Sequence, residues 1–142
     1  MPTSTRFAVA VHALAALAVN NGKPVRSEQI AASAGTNPVV IRAILSRLAD
    51  ASLTSAQLGP GGGAFLAKPA EAITLLDVYK AVEDEEFFAM HRGDPDKSCF
   101  VGRNIQHVLR QTTHKAEAAL ENELRRVTVA DIAHELVKRS EA

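Results

Sequence analysis

The run Leu58-Gly59-Pro60-Gly61-Gly62-Gly63-Ala64-Phe65-Leu66 decides how this chain is read. Five of the six residues from Gly59 to Ala64 are Gly or Pro, and both flanks are apolar. Gly reaches positive φ and allows close backbone approach at no steric cost, while Pro fixes its own φ. Between short apolar segments, such a run predicts a tight loop joining two strands. The rival is a phosphate-cradling loop, which closes on Gly-Lys-Ser/Thr or leads into a helix. Here the run leads into strand-like Ala64-Phe65-Leu66-Ala67 and then Pro69. That context excludes the phosphate loop.

Upstream of the hairpin the sequence predicts three helices. Ser4 is a suitable N-cap for a helix from Thr5 to about Val19, in which Phe7, Ala10, Val11, Leu14, Leu17 and Ala18 recur at helical spacing. Only His12 interrupts, and it reads as a satisfied core or interface residue. Ser27 is expected to cap a second helix through Ala34, with Gly35 making a sharp turn. Asn37 as cap and Pro38 at the first helical position open the third. Its stripe Ile41, Ile44, Leu45 and Leu48 faces inward, which leaves Asn37, Val39, Arg42, Ala43, Ser46 and Arg47 to solvent. A hairpin directly after such a helix-turn-helix is the wing of a winged-helix DNA-binding domain. The third helix would enter the major groove of double-stranded DNA with its N-terminal residues nearest the bases. Arg pairs with guanine, Asn with adenine, and Val meets a thymine methyl.

With 142 residues, 46% hydrophobic and 23% charged, the chain has the composition of one ordinary globular domain. No apolar run is long enough to span a bilayer, and Met1-Pro2-Thr3 opens no signal peptide, so a cytoplasmic protein without a membrane partner is expected. The formal net charge is zero, but it is unevenly spread. Residues 1–68 hold Arg6, Lys23, Arg26, Arg42, Arg47 and Lys68 against Glu28 and Asp50 alone. The remainder carries a matching acidic surplus. The phosphate-facing surface therefore belongs to the N-terminal half.

In the C-terminal half, Thr74-Leu75-Leu76-Asp77 resembles a capping box opening a helix to about Glu83, with Leu75, Val78, Tyr79 and Val82 inward. Glu83-Asp84-Glu85-Glu86 reads as a solvated acidic face, and Phe87 to Lys97 as a loop in which movement is expected. One long helix then runs from about Val101 to Val127. Along it Val101, Ile105, Val108, Thr112, Ala116, Ala119, Leu120, Leu124 and Val127 recur at steps of three and four. A closing helix over Thr128–Arg139 is too short to cover that stripe, so a homodimer seam is expected at Val101, Ile105, Val108, Thr112, Ala116, Leu120 and Leu124. The organisation expected is a winged helix-turn-helix over 1–69, a helix-and-loop connector over 70–100, and the dimerisation and closing helices over 101–142.

Taken in order, Ser27-Glu28-Gln29-Ile30-Ala31, Gly35-Thr36-Asn37, Leu45-Ser46-Arg47-Leu48, Leu53 and Gly59-Pro60-Gly61-Gly62-Gly63 resemble the Rrf-two family of bacterial winged-helix regulators. The resemblance covers nearly the whole chain and includes Thr128-Val129-Ala130-Asp131-Ile132 near its end. It implies a homodimeric transcription regulator, usually a repressor, on a palindromic operator. By position it implies base reading by Asn37, Val39 and Arg42, and a minor-groove wing at Gly59 to Gly63. Leu58 departs from the Arg common there, and Ser52 from the Gly common before Leu53.

Cluster-binding relatives present three cysteines before the long helix, whereas this chain has only Cys99. Iron–sulfur clusters need more thiolates than that, so no cofactor is expected. Cys99, Val101, Gly102, Asn104 and Ile105 instead match the single-cysteine members. Just ahead of a helix N-terminus, with Lys97 and Arg103 near in sequence, Cys99 is a candidate thiol sensor. The alternative is a small apolar side chain packed under the helix. His91, Cys99 and His107 are the residues a zinc site would draw on, but His107 and His114 stand seven apart rather than the usual four, and no metal is expected.

No nucleophile–base pair or paired carboxylates mark an enzyme. The reading is thus a mainly α, dimeric, winged-helix DNA-binding regulator whose effector, oxidant or small molecule, is open. The alternative from another class is a winged helix used for protein–protein contact, which should expose a contiguous apolar patch over residues 37–46.

Overall fold

Helices form where caps and apolar spacing coincide. The computed structural model describes residues 4–141 and has helices α1 (Arg6–Val19), α2 (Ser27–Ala34) and α3 (Pro38–Asp50). An antiparallel hairpin of β1 (Thr54–Gln57) and β2 (Gly63–Leu66) follows. After a 3₁₀ turn at Ala70–Ala72 come α4 (Leu75–Val82), α5 (Phe100–Arg125) and α6 (Val129–Ser140). A mainly helical winged helix-turn-helix is what the sequence predicts. The described residues form two compact units, one built from the chain up to Glu83 and from Leu124 onward, the other Asp84–Glu123.

Two starts shift by one residue. α1 begins at Arg6, and the Ser4 hydroxyl accepts from the Arg6 amide at 3.1 Å. Ser27 is the first residue of α2 rather than its cap; at the cap position, the Arg26 amide donates to Gln29 Oε1 at 3.0 Å. The cap of α3 is as expected, with Asn37 Oδ1 accepting from the Val40 amide at 3.1 Å.

The first unit is organised around α1, which is buried on two sides. Ala10 and Leu14 join Ile44, Leu48, Leu53, Ile73, Val78, Val82 and Val129 in one cluster. Ala13 and Leu17 join Ile30, Ala31, Ile41 and Ala64 in the other. Val78 and Val82 of α4 and Val129 of α6 thus share a core with α1 and α3, so compactness does not break near residue 69 and the closing helix belongs with the N-terminal helices. Paired capping boxes explain how. Thr74 and Thr128 each accept from the amide of an Asp three residues on, at 3.1 Å, and form a bridge. Flanking it, the Leu75 amide donates to the Val127 carbonyl at 2.9 Å and the Val129 amide to Ile73 at 2.8 Å. Leu76, which the sequence reading passed over, is buried, while Leu75 and Tyr79 are half-buried.

The end of α3 carries strain. Ser52 stands at φ 63°, its amide donating to Ala49 and that of Leu53 to Leu48, both at 2.9 Å. This is the Schellman pattern, in which the left-handed position favours Gly. Leu53 and Leu48 are both in the core. Ser52→Gly is expected to stabilise the fold by about 0.5–1 kcal/mol, because removing Cβ relieves the left-handed penalty but adds unfolded-state entropy. The check is a rise in thermal midpoint of about 2–4 °C.

Candidate nucleic-acid interface

On α3 the inward side is Ile41, Ile44 and Leu48, with Leu45 half-buried. Val39, Arg42, Ala43 and Ser46 lie exposed on the other side, with Val39 at 70%. Asn37 is also exposed, but its Oδ1 is already engaged as the cap, so a bidentate adenine contact requires that oxygen to accept twice. Arg47 is placed otherwise than the sequence suggests. Half-buried, it sends Nη1 to the Val82 carbonyl at 3.3 Å. Arg6 does the same with Nε at 2.8 Å and reaches Glu83 at 3.4 Å. Two of the six N-terminal cations therefore serve the carboxyl end of α4, where the helix dipole favours them. The apolar patch that a protein–protein module would need is small, confined on this face to Val39, Val40 at 38% exposed, and Ala43.

The wing is anchored by backbone. Val25, ahead of α2, pairs with Ala64 through amide–carbonyl bonds of 2.8 and 2.9 Å, which ties the hairpin to the chain between α1 and α2. Gly63, at φ 148°, has no room for a side chain, since a Cβ would sit 2.5 Å from the Val25 carbonyl oxygen. A Cβ at Gly62 would collide with the Gln57 carbonyl. Gly59 and Gly61 have positive φ with open space around them, so only conformation requires Gly there. Leu58, where the resemblance leads one to expect Arg, is 91% exposed. Between α3 and the wing lies a cleft of about 410 Å³, bordered by Arg42, Ser46, Gln57 and Leu58.

At the start of α5, the Cys99 amide donates to the Asp96 carbonyl at 3.3 Å, and the Cys99 carbonyl accepts from Arg103 at 2.9 Å. Asp96 Oδ1 accepts from the Ser98 hydroxyl and amide at 2.6 and 2.9 Å, which holds its carboxyl below the usual range. Gly102 is required because a Cβ would strike the Asp96 carbonyl. Cys99 is exposed, not packed under the helix. The amides of Gly102 and Val101 pull its thiol pKa down. Arg103 is not the cause expected from sequence, since its Nη1 is turned to the Lys97 carbonyl at 3.2 Å.

The α5 stripe divides. Ile105, Leu120 and Leu124 are half-buried, whereas Val101, Val108, Thr112 and Ala116 stand exposed. Thr113 is the one buried residue of α5 among the described residues. A separate apolar groove of about 690 Å³ lies in the first unit, along α1 and α6. Val11, Ala15, Val19, Ile132 and Leu136 line it, and the His12–Ser33 hydrogen bond of 2.8 Å supplies polar groups.

A helix-turn-helix with a solvent-facing third helix and a glycine wing defines a winged-helix DNA-binding regulator of transcription, not an enzyme. The chain belongs to the Rrf2 family, described as iron-dependent transcriptional regulators, whose profile matches residues 3–135. It is 38% identical over 134 residues to YwnA of Bacillus subtilis, assigned to the HTH-type transcriptional regulators, covering 94% of this chain and 98% of that one. A crystal structure described as that of a DNA-binding protein is 36% identical with a TM-score of 0.72, covering 89% of this chain and 97% of the other. CymR, the global cysteine regulator of B. subtilis, shares the fold at 21% identity and a TM-score of 0.68, over 95% and 98% of the two chains.

Among the described residues of one chain, the iron in the family's description finds no fitting set of ligands. The sequence has one cysteine, and among the described residues no three His, Cys, Asp or Glu side chains converge as a metal site. His107 lies 3.5 Å from the Gln111 amide nitrogen. Nor is any described helix long and apolar enough to cross a membrane.

Proposed function

We propose that the protein is a homodimeric repressor of a palindromic operator, with Val39, Arg42 and Ser46 of α3 reading base edges and Gly59 to Gly63 following the minor groove. The observation that carries this reading is the single exposed face of α3 beside the wing, which spends none of these residues on the core. Asn37 offers its remaining amide donors, and Arg47 is left out of the set because it holds α4. The exposed line of Val101, Val108, Thr112 and Ala116 is the seam between two copies. Two heads about one DNA turn apart make half-site binding cooperative.

Cys99 is the regulatory group of this proposal. Its thiolate, favoured by the α5 amides, attacks one oxygen of a peroxide; the O–O bond breaks, hydroxide leaves and takes up a proton as water, and sulfenic acid remains. Added bulk beside Val101 would disturb the seam. The test is selection from random duplex DNA with wild type and Cys99→Ser, each reduced and peroxide-treated. Reduced protein is expected to enrich an inverted repeat with half-sites about ten base pairs apart. Oxidation should abolish enrichment by wild type and spare Cys99→Ser. Enrichment of a single unpaired site would overturn the dimeric operator. Equal enrichment by oxidised wild type would overturn the thiol role and turn attention to a small-molecule effector in the α1–α6 groove, whose size and few polar groups suit one.

A further inference from the structure

One carboxylate stands among the cations of the DNA-facing surface. Glu28, the second residue of α2, accepts through Oε1 from Nη2 of Arg42 at 2.9 Å, across fourteen residues of chain. Its Oε2 lies 4.0 Å from Nε of Arg26. All three side chains are more than half exposed, so the ion pairs do little for folding. What they do is give Arg42 a direction.

An arginine fork has five N–H donors, and a carboxylate on one Nη leaves others free for the paired acceptors of a guanine. An unheld arginine on an exposed helix can turn to any phosphate or base within reach. A negative charge beside it also opposes contact with phosphate, the part of DNA that carries no sequence. We propose that Glu28 is a positioning residue that sets the sequence specificity of DNA binding by orienting Arg42 and penalising non-specific contact. The proposal rests on Arg42 as a base reader. Arg26, 4.0 Å from the other oxygen, is the second cation beside Glu28.

The test compares wild type, Glu28→Ala, Glu28→Gln, Arg42→Ala and Glu28→Ala/Arg42→Ala. Each is titrated at one salt concentration against the duplex recovered by selection and a scrambled duplex of equal length. For Glu28→Ala, affinity for scrambled DNA should rise about threefold as a charge is lost, and the ratio of selected to scrambled affinity should fall about tenfold. Glu28→Gln loses the charge but keeps an acceptor for Nη2, so scrambled affinity should rise with a smaller fall in the ratio. In the Arg42→Ala background the Glu28 change should leave the ratio unaltered. Equal gains on both duplexes for Glu28→Ala would reduce Glu28 to a charge effect and overturn the proposal. The same fall in ratio with and without Arg42 would overturn it too. An unchanged ratio for Arg42→Ala alone would instead defeat the base-reading assignment. Matching helical content and melting among the variants keeps misfolding out of the comparison.

Discussion

Replacing Val101 and Val108 together by glutamate is expected to turn the proposed homodimer into monomers and to weaken binding to the duplex recovered by selection by about a hundredfold or more. Both side chains are more than half exposed in the single chain, at 52% and 56%, so the new charges meet water there and leave the fold intact. In the paired state four carboxylates would be drawn into an apolar seam without partners, which association cannot offset. Each monomer would keep its α3 and wing and retain half-site affinity. Sedimentation equilibrium and DNA titration check the two parts separately. A variant that remains dimeric, or a monomeric wild type, refutes the seam. Leu120 and Leu124 make poorer probes, because both are half-buried in the chain itself and a charge there would also disturb its own packing.

Arg42→Ala is expected to weaken operator binding by about 1–3 kcal/mol, roughly 5–150-fold, and to relax preference at one base pair in each half-site. Arg42 is exposed and its ion pair with Glu28 is a surface pair, so truncation should leave melting nearly unchanged. A loss of affinity equal on every sequence would make Arg42 a phosphate contact rather than a reader. Titration at fixed salt against duplexes varied one base pair at a time distinguishes the two outcomes.

Local chemistry makes much of this legible in the sequence. Asn37-Pro38 announces the start of α3, Gly35 its preceding turn, and the Gly59–Gly63 run the wing, because caps and positive-φ positions depend on residues adjacent in sequence. The inward stripe of α3 follows from its period alone. That the chain has a single cysteine is likewise read from the sequence alone.

Contacts between distant segments decided the rest. A helical period says which side of α5 is apolar but not which part of that side the chain covers, so Ile105, Leu120 and Leu124 separated from Val101 and Val108 only in three dimensions. Charge counting assigned Arg6 and Arg47 to the DNA-facing surplus, yet their long side chains swing to the end of α4, 76 and 35 residues away. Glu28 looked like one acid among many cations until α2 and α3 packed and brought it to Arg42. The Thr74–Thr128 bridge, which draws α6 into the core with α1 and α4, joins two capping boxes each readable alone. Caps and periods are set by neighbours along the chain. The partners of a flexible charged side chain, and the cover of an apolar face, are set by whatever the fold brings alongside.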